Sequence, residues 1–63
     1  MLMETLNYAK EEQYAEAQRS LSARGFTLES AWGSADMQRF EQRWHRPVTH
    51  GTDSVLIRLA LTR

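Results

Sequence analysis

Ser54-Val55-Leu56-Ile57-Arg58-Leu59-Ala60-Leu61 is the stretch on which the fold turns. Val55, Ile57, Leu59 and Leu61 point one way and Leu56, Arg58, Ala60 and Thr62 the other, so residues 54–62 read as a strand of period two. Both faces are apolar apart from Arg58. At a sheet edge such a strand is a liability that proteins blunt with charge or proline, or cover. Nothing here blunts it. Either it lies inside the sheet, or another chain covers its edge: a second copy, or a different protein in strand addition.

Upstream, residues 47–53 carry Pro47, Gly51 and Asp53 and read as a loop. Residues 38–46 alternate again, with Phe40, Gln42 and Trp44 on one face and Arg39, Glu41, Arg43 and His45 on the other. Gly33-Ser34-Ala35-Asp36 is a turn cluster. Residues 26–32 form a further strand, with Phe26, Leu28, Ser30 and Trp32 inward. Residues 2–24 are rich in good helix formers, without Gly or Pro. Leu2, Leu6, Ala9, Tyr14, Ala17 and Leu21 fall in one helical stripe, and Gly25 follows as a left-handed cap. The expected fold is one α+β domain over residues 1–63: an N-terminal amphipathic helix on a three-stranded antiparallel meander, α-β-β-β. Charge pairing sets the register. Trp44 opposite Val55 puts Glu41 opposite Arg58, Ser54 near His45, and Glu29 toward Arg39 or Arg43.

A chain of 63 residues without cysteine has a small core and no disulfide to support it. Association with another chain is therefore expected. Eight basic and eight acidic residues cancel, against a sequence-independent DNA binder, which needs a basic excess. The signs segregate: residues 1–29 are acidic and residues 30–63 basic, and seven of the eight cations are Arg. No apolar run approaches the roughly 20 residues of a membrane span, and no signal peptide is visible, so the expected location is cytoplasmic.

The two histidines, His45 and His50, match no metal-ligand spacing, and no cofactor motif is present. Ser54 with His45 lacks an orienting acid and the glycines of a nucleophile elbow. The outer sheet face gathers Glu29, Arg39, Glu41, Arg43, His45 and Arg58. Such a set could serve a metal-independent ribonuclease, with carboxylate or His as base, His as acid and Arg on the phosphate. A solvated face laced with cross-strand ion pairs needs the same residue types.

The order helix, Gly25-Phe26 strand, Gly33-Ser34 turn, strand, loop and Val55–Leu59 strand is similar to that of the small double-stranded-RNA-binding-like toxins of the HicA type. The resemblance implies a ribonuclease whose catalytic His directly follows the Gly-Ser turn. Ala35 stands there in this chain, so no activity carries over.

The expected function is that of a small non-enzymatic protein-binding module, a regulator or inhibitor of a larger protein, acting as a homodimer without cofactor or metal. Its partner-binding residues are Arg39, Arg43, His45, Leu56, Arg58 and Ala60. The alternative is an RNA-binding domain or toxin-like ribonuclease using the same face. The short, cysteine-free format is the one common among phage- and plasmid-encoded proteins.

Overall fold

The computed structural model describes residues 2–61. Five elements follow one another: β1 (Met3–Tyr8), α1 (Glu11–Ala23), β2 (Thr27–Gly33), β3 (Arg39–Val48) and β4 (Gly51–Ala60). The class is α+β, one helix on one sheet. The sheet, however, has four strands in the order β1-β4-β3-β2, with β1 parallel to β4 and the other neighbours antiparallel. The three-stranded antiparallel meander with an N-terminal helix is corrected on both counts: a strand precedes the helix, and the sheet is mixed.

The physical reason lies in β4. Val55, Ile57 and Leu59 are almost wholly buried beneath the helix. β1 takes the edge that β3 leaves free, so β4 has hydrogen-bonded neighbours on both sides and needs no blunting. Of the two alternatives for this strand, a place inside the sheet or an edge covered by another chain, the first is the one observed. Residues 3–8 read as helix in the sequence because the first turns of a helical stripe and a short alternating strand share apolar positions. Leu2 and Leu6 fit both patterns, whereas Tyr8 fits only the strand, since helical periodicity puts it opposite the stripe. Helix propensity is a weak prior, and pairing with β4 overrides it.

Lys10 precedes α1 in an extended conformation, without a side-chain cap, and Glu11 and Glu12 in the first turn favour the positive end of the helix dipole. The helix ends in a Schellman motif: the Phe26 N–H donates to Leu21 O (2.9 Å) and the Gly25 N–H to Ser22 O (3.1 Å). Gly25, at φ 87°, takes the left-handed position. Leu21 and Phe26, the apolar pair of that motif, are both buried. Tyr14, Ala17 and Leu21 form the helix stripe. Leu2 and Leu6 of the expected stripe belong instead to the β1 segment, and Ala9 to the connection.

β3 and β4 also run further than expected. The pairing continues through Arg46↔Asp53 and Pro47↔Thr52 to Val48↔Gly51, so the loop shrinks to Thr49-His50. Pro47 lies beyond the start of β2, which begins at Thr27 opposite His45, where a strand tolerates proline. Thr62, the last residue of the expected strand, lies outside the described residues. The expected register is otherwise present: Trp44 faces Val55, Glu41 faces Arg58 and His45 faces Ser54.

A polar clasp closes the lower end of the molecule. Arg46 donates from Nη2 to Asp53 Oδ2 (3.0 Å) and from Nη1 to Arg24 O (2.8 Å). Asp53 Oδ1 accepts the Leu2 N–H (2.8 Å). The Arg46 guanidinium lies 4.5 Å from the Phe26 ring centroid, a cation–π contact. One ion pair thus joins the helix end, β3, β4 and the chain entering β1. The Leu2 N–H, and then Arg46, hold the Asp53 carboxyl below its ordinary pKa of 3.8.

Leu21, 2% exposed, is central to the core; Leu21→Ala is expected to cost about 2–5 kcal/mol in urea titration. Asp53 has a depressed folded-state pKa, so the stability it contributes is present above the unfolded value, about 3.9, and is lost as pH falls through the folded one. Asp53→Asn should lower the thermal midpoint at neutral pH and flatten its fall in acid. A variant with the wild-type profile between pH about 2 and 4 would show that the clasp carries none of the acid sensitivity.

Candidate functional site

The helix covers only one side of the sheet. On the other side, β3 presents Arg39, Glu41, Arg43 and His45, and β4 presents Ser54, Leu56, Arg58 and Ala60. The direct cross-strand pairs are Arg39↔Ala60, Glu41↔Arg58, Arg43↔Leu56 and His45↔Ser54. All six residues expected to bind a partner, Arg39, Arg43, His45, Leu56, Arg58 and Ala60, therefore share this open face. β1 extends it with Met3, Thr5 and Asn7, opposite Ser54, Leu56 and Arg58.

β2 contributes what sequence alternation missed. Its ladder with β3 shifts between Leu28 and Ser30: Leu28 faces Trp44, but Ser30 faces Arg43 and Trp32 faces Glu41. Glu29 is the extra residue of a β-bulge, and every residue after it changes side. Ala31 and Gly33 turn toward the helix side. Trp32, expected in the core with Phe26 and Leu28, stands on the open face at 56% exposure. A readable sign was Ser30, a polar residue in the inward phase between Leu28 and Trp32. Trp44 does lie in the core, its indole N–H donating to Gln42 Oε1 at 3.0 Å.

The charges on the face are largely paired. Arg58 Nε lies 3.3 Å from Glu41 Oε1, and Arg43 Nε 3.7 Å from Glu29 Oε2. Glu29 Oε1 also lies 3.4 Å from His45 Nδ1. The predicted pairing of Glu29 with Arg43 is thus present. These groups are half-exposed, and each pair contributes about 0–1 kcal/mol. Arg39 is exposed and has no ion-pair partner among the described residues.

A groove of about 360 Å³ crosses one end of the face, bordered by Asn7, Trp32, Arg39, Glu41, Arg58 and Ala60. Arg43 and Leu56 line a smaller depression of about 150 Å³ beside it. His45 stands toward the opposite end, across from Ser54 and Thr27, away from the groove. The charged groups of the face thus fall into two sets: Arg39, Glu41 and Arg58 at the groove, and Glu29, Arg43 and His45 together toward the other end. His50 lies in the β3–β4 turn. Among the described residues no group of three or more His, Cys, Asp or Glu is placed to hold a metal ion.

What the arrangement offers is an open surface with an exposed indole, Trp32, opposite Glu41 and bordering the same groove as Arg39 and Arg58. Trp and Arg are the side chains that most often anchor macromolecular interfaces. The two tryptophans should separate in urea titration: Trp32→Ala is expected to cost no more than about 1 kcal/mol, and Trp44→Ala about 3–5 kcal/mol. Equal costs would contradict the placement of Trp32 on the open face. Comparison with protein-family profiles, curated proteins and solved structures finds no match to this chain.

Proposed function

We propose that the chain is a non-enzymatic protein-binding module, a small regulator or inhibitor that docks the open face of its sheet onto a larger protein and works as a homodimer. The observation that carries this reading is the collection of Trp32, Arg39, Arg58, Leu56 and Ala60 on one uncovered face, grouped at and beside a groove. Apolar side chains interspersed with Arg–Glu pairs suit a protein surface that offers carboxylates beside apolar groups. The overall charge balance supplies no general attraction to phosphate. Self-association belongs to the same reading, since so small a domain gains most from burying further surface.

One observation favours a second reading. An exposed indole that shares a groove with two arginines on an open sheet is also a stacking platform for single-stranded RNA. Trp32 provides a direct discriminator, being exposed while Trp44 is buried. In the protein-binding reading, a uridine oligonucleotide leaves Trp32 fluorescence unchanged at physiological salt. A partner captured from host extract and then purified binds wild type, and Trp32→Ser or Arg39→Glu weakens its affinity by at least about tenfold without loss of the folded circular dichroism spectrum. Saturable quenching of Trp32 by the oligonucleotide, with retained partner binding in both variants, would replace the proposal by the RNA reading.

A further inference from the structure

The sheet has two outer strands, β1 and β2, and they differ in kind. β2 is broken by its bulge, a device that spoils an edge for further pairing. β1 keeps one unbroken register from Met3 to Tyr8. The Leu2 carbonyl accepts from the Ser54 N–H at 2.8 Å, so Leu2 aims its backbone groups at β4. By strand alternation, Glu4, Leu6 and Tyr8 do the same. Met3, Thr5 and Asn7 aim theirs away from the sheet, as a regular row that no strand among the described residues pairs with. Beside that row, a groove of about 730 Å³ runs between β1 and α1. Its apolar lining is Leu6, Tyr8, Ala17 and Leu21, and its opposite ends carry Glu12 and Arg24.

From this geometry we infer that the occupant of the β1 edge is a second copy of the chain, paired antiparallel through β1 about a two-fold axis at Thr5, an inference that rests on the homodimer named above and gives it an interface. Thr5 then faces the partner's Thr5 and Met3 the partner's Asn7 on the open side; Glu4 faces the partner's Leu6 on the helix side. No like charges meet, and a Thr–Thr pair is a favourable cross-strand contact. The helices agree with the strands. Tyr8 meets Tyr14 ring to ring at 6.5 Å near one end of β1, and the clasp ties Arg24 O through Arg46 and Asp53 to Leu2 at the other. So α1 runs antiparallel alongside β1. Six strand residues span roughly 17 Å and thirteen helical ones roughly 18 Å, which sets Gln18 at about the height of Thr5. A two-fold there brings Glu12 beside the partner's Arg24, and Arg24 beside the partner's Glu12. The surface is self-complementary in hydrogen bonding, apolar lining and charge, as an isologous interface requires. The result is a continuous eight-stranded sheet, with both open faces on the same side.

Light scattering at about 100 µM, with circular dichroism on the same samples, tests the pairing. Wild type should show twice the 7.3 kDa chain mass. Thr5→Pro removes an N–H that the β1–β4 ladder does not use, so the variant should keep its folded spectrum and scatter as a single chain. Glu12→Arg should raise the dimer dissociation constant at least about tenfold, and adding Arg24→Glu should restore it. A wild-type dimer that survives Thr5→Pro, or a charge swap without rescue, overturns the β1 pairing while leaving the homodimer standing. A wild type of single-chain mass overturns both.

Discussion

Burial of β4 is the constraint from which the remaining architecture follows. Its inward residues, Val55, Ile57 and Leu59, are the least exposed row in the molecule, and its outward residues include Leu56 and Ala60. Such a strand cannot stand at an edge in water. It therefore takes a neighbour on each side, β3 through a two-residue hairpin and β1 by a long-range parallel pairing. The parallel pairing places the start of the chain beside its end. It also requires the connecting helix to run back across the sheet, which is what lays Tyr14 and Leu21 over Ile57 and its neighbours in the core.

The helix is too short and too narrow to cover four strands. It covers β4 and β1, and leaves β2 exposed at every position. That imbalance gives the surface its character. The inner side of β2 keeps only Leu28, Ala31 and Gly33, and the bulge at Glu29 sends the large Trp32 to the side where arginines lie. A single inserted residue thus decides whether an indole is spent in the core or displayed, because the side-chain period of a strand is two.

The clasp of Arg46, Asp53, Arg24 O and the Leu2 N–H answers a second problem. β1 is hydrogen-bonded to the sheet along one side only, by its parallel ladder with β4. Asp53 ties it with one oxygen and holds Arg46 with the other, while Arg46 covers Phe26 at the end of the helix. The partly buried pair contributes less as charge than as a fixed joint among four segments.

Much of this was legible in the residues themselves. Alternation in 39–46 and 54–60, the helical stripe of Tyr14, Ala17 and Leu21, the Gly25 cap and the pairing of Glu41 with Arg58 are local signals, and each reports a local interaction. They also sufficed to collect Arg39, Arg43, His45, Leu56, Arg58 and Ala60 on one face, because a strand's phase assigns its faces. The first strand was not legible, because Leu2 and Leu6 fit a helical stripe as well as a strand, and only β4, some fifty positions away, decides between them. The bulge was marked by Ser30 alone, and Asp53 read as a turn residue because its partners, Leu2 and Arg46, are brought to it by the fold. Sequence by itself determined the class of the fold and the composition of its open face; tertiary structure decided the strand order, the side on which Trp32 stands and which edges remain free, since each depends on pairing between segments whose separation along the chain no local pattern records.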